Sequence, residues 1–81
     1  MNAPQRQRRT VHYRGTVQGV GFRYTAQRCA SGYDVAGFVR NLPNGEVELV
    51  VEGTPEQLSA FLHAVSKAMK DCIAEATTES S

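Results

Sequence analysis

The 81-residue sequence is poor in cysteine, has no long apolar run and has no cluster of acids, and each absence excludes a class of function. Its two cysteines, Cys29 and Cys72, are too few and too unpatterned for a disulfide scaffold or a zinc site. Cys29 falls on a helical apolar stripe and reads as a small buried hydrophobe. No apolar segment is long enough to span a bilayer, and the opening Met-Asn-Ala-Pro-Gln-Arg-Gln-Arg-Arg lacks the apolar centre of a secretory leader. The expected location is therefore the cytoplasm, with no membrane partner. The acids show no pair at metal-ligand spacing near the glycine-rich segment described below, so no metal or other cofactor is expected. The two histidines, His12 and His63, lack a neighbour in sequence that would make either a general base.

What is present suits a small globular domain. Hydrophobic residues make up 41% and charged residues 21%, an ordinary balance for a folded protein. A chain this short holds one domain with a thin core, burying only about 60% of its unfolded surface. The net charge of +1 hides an asymmetry: residues 1–40 carry seven arginines and one acid, whereas residues 41–81 carry two lysines and seven acids. Such a distribution can steer a small anion. Arg6, Arg8 and Arg9 lie in a glutamine-rich opening stretch, which predicts a flexible basic tail over residues 1–10. No aromatic residues interleave with these charges, so the tail gives no sign of nucleic-acid binding.

Periodicity predicts six elements. Val11 to Val17 alternates as a strand with one buried face. From Phe22, the residues Phe22, Ala26, Cys29, Ala30 and Tyr33 follow helical spacing, and Gly32 is a natural stop. Val35 to Asn41 and Glu46 to Glu52 read as two strands joined by Leu42-Pro43-Asn44-Gly45, which is turn chemistry, so they form a hairpin. Glu46, Glu48 and Glu52 are expected on its solvated face. Thr54-Pro55-Glu56-Gln57 combines a capping threonine, a proline at the first helical position and a glutamine three residues after the cap. It opens a second helix with Leu58, Phe61, Leu62, Val65 and Met69 on the core stripe. A weaker last strand is expected from Cys72 to Thr77, followed by a mobile tail over residues 78–81. The order β-α-β-β-α-β is the split βαβ, ferredoxin-like arrangement: an α+β sandwich with two helices on one face of an antiparallel sheet. The domain is expected to occupy residues 11–77.

The most informative segment is Gly15-Thr-Val-Gln-Gly-Val-Gly-Phe-Arg23, a glycine-rich turn between the first strand and the first helix. Such a turn leaves N–H groups free, and the helix start adds a partial positive charge. Gly19 and Gly21 allow an anion close to the main chain, and Arg23 supplies a permanent forked cation. The segment Gln18, Gly19, Val20, Gly21, Phe22 and Arg23 thus reads as a phosphate cradle. It is no P-loop, since no Gly-Lys-Ser/Thr follows, and its spacing does not fit a dinucleotide fingerprint. The plainer alternative is a glycine-rich connection with a surface arginine. Asn41, at the end of the second strand, can donate and accept at once, which suits a side chain that orients water.

The stretch Val11 to Arg23, followed by Gly37-Phe38-Val39-Arg40-Asn41 and Asn44-Gly45-Glu46-Val47-Glu48, resembles the acylphosphatase family. The resemblance runs to the end of the second helix and implies a metal-independent enzyme that hydrolyses the carboxyl–phosphate bond of acyl phosphates. It implies that Arg23 binds the phosphate and that Asn41 positions the attacking water, with inorganic phosphate as product and competitive inhibitor. Family members usually continue into a short fifth edge strand, which is not expected within these 81 residues. The expected result is an open edge on the second strand of the hairpin, and either a monomer of low stability or weak edge-strand self-association. A larger modification enzyme of the carbamoyl-transfer class carries a similar domain.

Fold order alone does not choose among functions, because RNA-binding and small-ligand regulatory modules share it. An RNA-recognition module needs aromatic side chains displayed on its central strands. The outward positions of the third strand are instead Glu46, Glu48, Val50 and Glu52, which repel phosphate. A non-catalytic phosphate- or anion-binding module of the same fold stays open as the alternative. Small metabolite acyl phosphates and carbamoyl phosphate are equally open as substrates.

Overall fold

The structure is a computed structural model and describes residues 5–80. Its elements run β1 (Gln7–Gly15), α1 (Phe22–Ala30), β2 (Val35–Asn41), β3 (Val47–Gly53), α2 (Pro55–Ala68) and β4 (Ile73–Ser80). The strands form one sheet in the order β2-β3-β1-β4, every neighbouring pair antiparallel. Both helices supply the core on one face of this sheet, the ferredoxin-like α+β arrangement.

That core follows from period matching. On β1 and β3 every second residue faces the helices, which buries Val11 and Tyr13 beside Val47, Leu49 and Val51. Helical spacing turns Phe22 and Ala26 of α1, and Leu58, Phe61 and Val65 of α2, towards them. Val17 and Met69 complete the buried set, while Cys29, Tyr33 and Leu62 pack half-buried against it. The Tyr33 ring meets the Phe61 ring edge-on at 6.3 Å, joining the end of α1 to the middle of α2. Thr54 caps α2 by accepting from Gln57 N–H at 3.4 Å. The reciprocal bond of a capping box is replaced, because Gln57 Oε1 accepts instead from Asp34 N–H at 2.8 Å and ties the entry of β2 to α2.

β1 ends at Gly15 rather than Val17, where the glycine-rich connection begins, and three larger differences from expectation concern the two termini and the sheet edge. β1 begins at Gln7 rather than Val11, so Gln7 to Thr10 are strand and not tail. Arg8 lies opposite Glu52 and binds its carboxylate at 3.2 Å, and Arg6 donates to the Glu52 carbonyl. The ladder to β3 holds these polar residues in place, and ladder bonds leave no trace in hydropathy. For the same reason β4 continues to Ser80, with Thr78 to Ser80 in register with β1. Residues 1–4 and 81, the rest of the two expected tails, lie outside the described residues. The third difference concerns the edge: β3 sits between β2 and β1, so among the described residues the open edge of the hairpin belongs to its first strand, β2, and not to its second.

The sheet face away from the helices is mostly polar, around an exposed Phe38 that lies opposite Val50. On it His12 Nε2 lies 2.9 Å from Glu48, and Arg40 Nε donates to the same carboxylate at 2.7 Å. Glu48 is thus a paired carboxylate with 14% of its side chain exposed, not a free solvated one.

Candidate active site

The connection from β1 to α1 is built around two left-handed glycines. Gly19 (φ 76°) and Gly21 (φ 77°) occupy backbone angles that side-chain-bearing residues rarely adopt. Gly21 is also the N-cap of α1 and offers no side chain to cap it. The first N–H to re-enter the ladder is that of Thr25, which donates to the Gly21 carbonyl at 2.9 Å. Among the described residues, the N–H groups of Gln18 to Tyr24 donate to no backbone carbonyl. Seven N–H groups with no backbone acceptor and the positive end of α1 therefore share one short segment.

Two contacts hold this segment still. Phe22, the first residue of α1, buries its ring against Tyr13 of β1, centroid to centroid 4.8 Å, which anchors the helix start to the sheet. Burial also pushes the Tyr13 phenol up to about 12, so that group stays neutral beside the loop. Gln18 Nε2 donates both its hydrogens across to the β2–β3 turn, to Leu42 O at 2.8 Å and Glu46 O at 2.9 Å. Two carbonyl acceptors fix which end of the amide faces the turn. The turn is itself closed by Leu42 N–H to Glu46 O and by Glu46 N–H to Asn44 Oδ1.

Arg23 and Asn41 meet at this end of the molecule. Asn41 is on the same face of β2 as Val35, Gly37 and Val39, the face towards the helices, whereas its neighbour Arg40 points to the opposite face. Pleating thus delivers Asn41 to the side where α1 begins. A cavity of about 260 Å³ there is lined by Val17, Gly19, Gly21, Phe22, Arg23, Tyr24 and Asn41. No acid and no histidine lines it. Among the described residues Arg23 engages no carboxylate, while Arg8 and Arg40 each engage one and Arg14 engages two, those of Glu46 and Glu75. An exposed guanidinium beside N–H groups that donate to no backbone carbonyl, with no acid lining the cavity, is chemistry suited to a small anion.

Of the residues singled out in the sequence, Gly19, Gly21, Phe22, Arg23 and Asn41 line this one cavity, and Val20 lies on the loop between its glycines. The Gln18 side chain does not; it is committed to the turn, a tether that only the folded chain reveals. Its signal in sequence would have been a long amide donor opposite a turn rich in carbonyls, a pattern too common to read. His12 is on the far face of the sheet and His63 is exposed on α2. Among the described residues no group of three or more His, Cys, Asp or Glu is placed to hold a metal ion. No described helix is long and apolar enough to cross a membrane.

Comparison with known proteins gives the family. The acylphosphatase family model matches residues 9–80. The acylphosphatase of Thermococcus kodakarensis is 54% identical over 48 residues, covering 59% of this chain and 53% of that protein. That of Methanospirillum hungatei is 44% identical over 59 residues, covering 73% and 65%. The chain thus spans between about half and two thirds of the length of these relatives. The crystal structure of acylphosphatase from Bacillus subtilis superposes with a TM-score of 0.79 at 33% identity, covering 95% of this chain and 86% of that one. Full-length HypF, in its phosphate- and nucleotide-bound form, contains a region that superposes with a TM-score of 0.83 at 30% identity, covering 99% of this chain but 11% of that one. With a family match over nearly the whole described chain and a loop, arginine and asparagine gathered at one cavity, the protein belongs to the acylphosphatase family.

Proposed function

We propose that this chain hydrolyses acyl phosphates to a carboxylate and inorganic phosphate, without a metal. The observation that carries the reading is the convergence of Arg23, the unspent N–H groups of the Gly19–Arg23 loop and Asn41 on one cavity that contains no competing acid.

An acyl phosphate has a good leaving group, so its hydrolysis demands no strong acid and no covalent nucleophile. It demands that the phosphoryl group be held, its charge offset and a water placed in line. In this reading Arg23 makes a bidentate contact to two phosphoryl oxygens and the loop N–H groups take the third. The Asn41 carboxamide oxygen accepts a hydrogen bond from the water, so that a water lone pair points at phosphorus. The water oxygen forms the new P–O bond as the bond from phosphorus to the acyl oxygen breaks. The carboxylate departs with that electron pair, and both protons of the water stay with the product, one on the attacking oxygen and one passed to a phosphoryl oxygen, giving dihydrogen phosphate. Charge that spreads over the phosphoryl oxygens during transfer stays within reach of Arg23 throughout.

The test is hydrolysis of an aryl acyl phosphate by the purified chain, followed as loss of the acyl phosphate, with and without excess chelator. Turnover unchanged by chelator and inhibited competitively by inorganic phosphate is the expected result. Phosphate binding without turnover would replace this reading by that of an anion-binding module, and a chelator effect reversed by magnesium or zinc would remove the metal-free mechanism.

A further inference from the structure

Three large apolar side chains are exposed among the described residues, and two of them belong to the phosphate loop and the helix turn that follows it: Val20, 40% exposed, and Tyr24, 65% exposed. Tyr24 follows Arg23 directly and lines the same cavity as Arg23 and Asn41. Val20 stands between Gly19 and Gly21, both of which line it. Neither side chain belongs to the buried core or packs against it. The core stripe of α1 runs through Phe22 and Ala26, and the aromatic pairs of the molecule are Tyr13–Phe22 and Tyr33–Phe61, without Tyr24. The other two tyrosines show the contrast, since Tyr13 is buried and Tyr33 is half-buried against the core.

Chemistry says what such a surface meets. With the phosphoryl group held by Arg23 and the loop, in-line attack sends the acyl part out of the cradle, away from the water. Its carbon skeleton then lies over the rim of the cavity, where the uncharged faces available are those of Val20 and Tyr24. An aromatic ring stacked on or edge to the Tyr24 ring removes apolar surface from water on both sides. A methyl or an amino group in the same place covers almost none of it.

We infer that Tyr24, with Val20, forms an apolar platform for the acyl part of the substrate, so that the site favours aromatic and bulky apolar acyl phosphates over acetyl and carbamoyl phosphate. The inference rests on the phosphate-binding part of the proposed function and names the substrate class of that same site.

Two non-hydrolysable phosphonates test it by calorimetry: phenacylphosphonate, the methylene counterpart of benzoyl phosphate, and acetonylphosphonate, that of acetyl phosphate. Phenacylphosphonate should bind the wild-type chain about tenfold more tightly, the scale of one aromatic contact at a partly exposed site. In Tyr24→Ala that ratio should fall towards one, and in Tyr24→Phe it should persist, because the ring rather than the hydroxyl makes the contact. A wild-type ratio near one, or a ratio that survives Tyr24→Ala, would overturn the platform, as would failure of both phosphonates to bind. The same ratio of kcat/KM is then read for benzoyl and acetyl phosphate. If the phosphonates behave as expected but neither acyl phosphate is hydrolysed, the hydrolytic reading fails and the platform stands. If both are hydrolysed and no preference exists, only the platform falls.

Discussion

Strands β3 and β4 are both antiparallel partners of β1, yet they are built in opposite ways. β3 places Val47, Leu49 and Val51 on the helix side, all buried. β4 places Ala76, Thr78 and Ser80 on that same side, opposite Tyr13, Val11 and Arg9, and all three are exposed. The helices lie over β2 and β3 and leave β4 largely uncovered. Equivalent backbone ladders therefore coexist with very different burial. The contrast separates what hydrogen bonds provide, alignment, from what apolar contact provides, stability. The candidate site is attached to the covered side: Asn41 ends β2, and Gln18 is bonded to the turn between β2 and β3.

The largest expected effect is on stability. Leu49→Ala should cost about 2–5 kcal/mol in urea unfolding, the range for truncating a buried leucine. Thr78→Ala, at a matching position on the other side of β1, should change it by about 0.5 kcal/mol or less. Equal losses at the two positions would abolish the distinction between the strands. The next effect is kinetic. Asn41→Ala should lower kcat by on the order of 10²-fold with phosphate inhibition nearly intact, since it removes a contact to water rather than to phosphate. Arg23→Ala should weaken phosphate inhibition and turnover together, and Arg23→Lys should restore little, because an ammonium lacks the planar fork. Retention of wild-type kcat in Asn41→Ala would detach the chemistry from the end of β2. Native-state hydrogen exchange then sharpens the comparison: amides of β4 should open with a smaller free energy than those of β3, whose opening should approach global unfolding. Uniform protection across the sheet would mean that β4 is held by more than its ladder.

The smallest effect belongs to the polar face of β3. Hydrogen bonds from His12 and Arg40 hold the Glu48 carboxyl below its ordinary value of 4.5. A depressed carboxyl pKa contributes stability that is present above the unfolded value and lost as pH falls through the folded one. Wild type should therefore lose a small increment of stability on acidification from about pH 4.5 downward that Glu48→Gln does not lose. Parallel pH profiles for the two proteins would show that the carboxylate contributes nothing there.

How much of this could be read beforehand depended on whether side chains recorded it. β2 was legible to the residue, as were the start of α1 at Phe22 and the cap of α2 at Thr54, because glycine, turn and capping chemistry mark them. The beginning of β1 and the end of β4 were not, since Gln7 to Thr10 and Thr78 to Ser80 are strand by pairing alone. The open edge was assigned to β3, although Val-Glu-Leu-Val-Val is more continuously apolar than Ala-Gly-Phe-Val-Arg and marks the interior strand. At the site, Arg23 and Asn41 could be named from their chemistry. The tether of Gln18 could not, because its acceptors lie 24 and 28 residues away and are main-chain atoms.

That tether makes the hairpin turn a length standard for the phosphate loop. Because one amide grips carbonyls on both sides of Pro43-Asn44-Gly45, the spacing between them is imposed on the loop as a fixed span. Insertions into surface turns are usually tolerated, since closing a slightly longer loop costs little. Here an extra residue between Pro43 and Gly45 would leave the fold in place while misaligning two acceptors, and the error would be transmitted to the backbone at Gly19. The solvent-facing tip of this hairpin is thus under the same geometric constraint as the Gly19–Gly21 loop, and on the proposed function variation in its length would be felt first as a change in how phosphate is held.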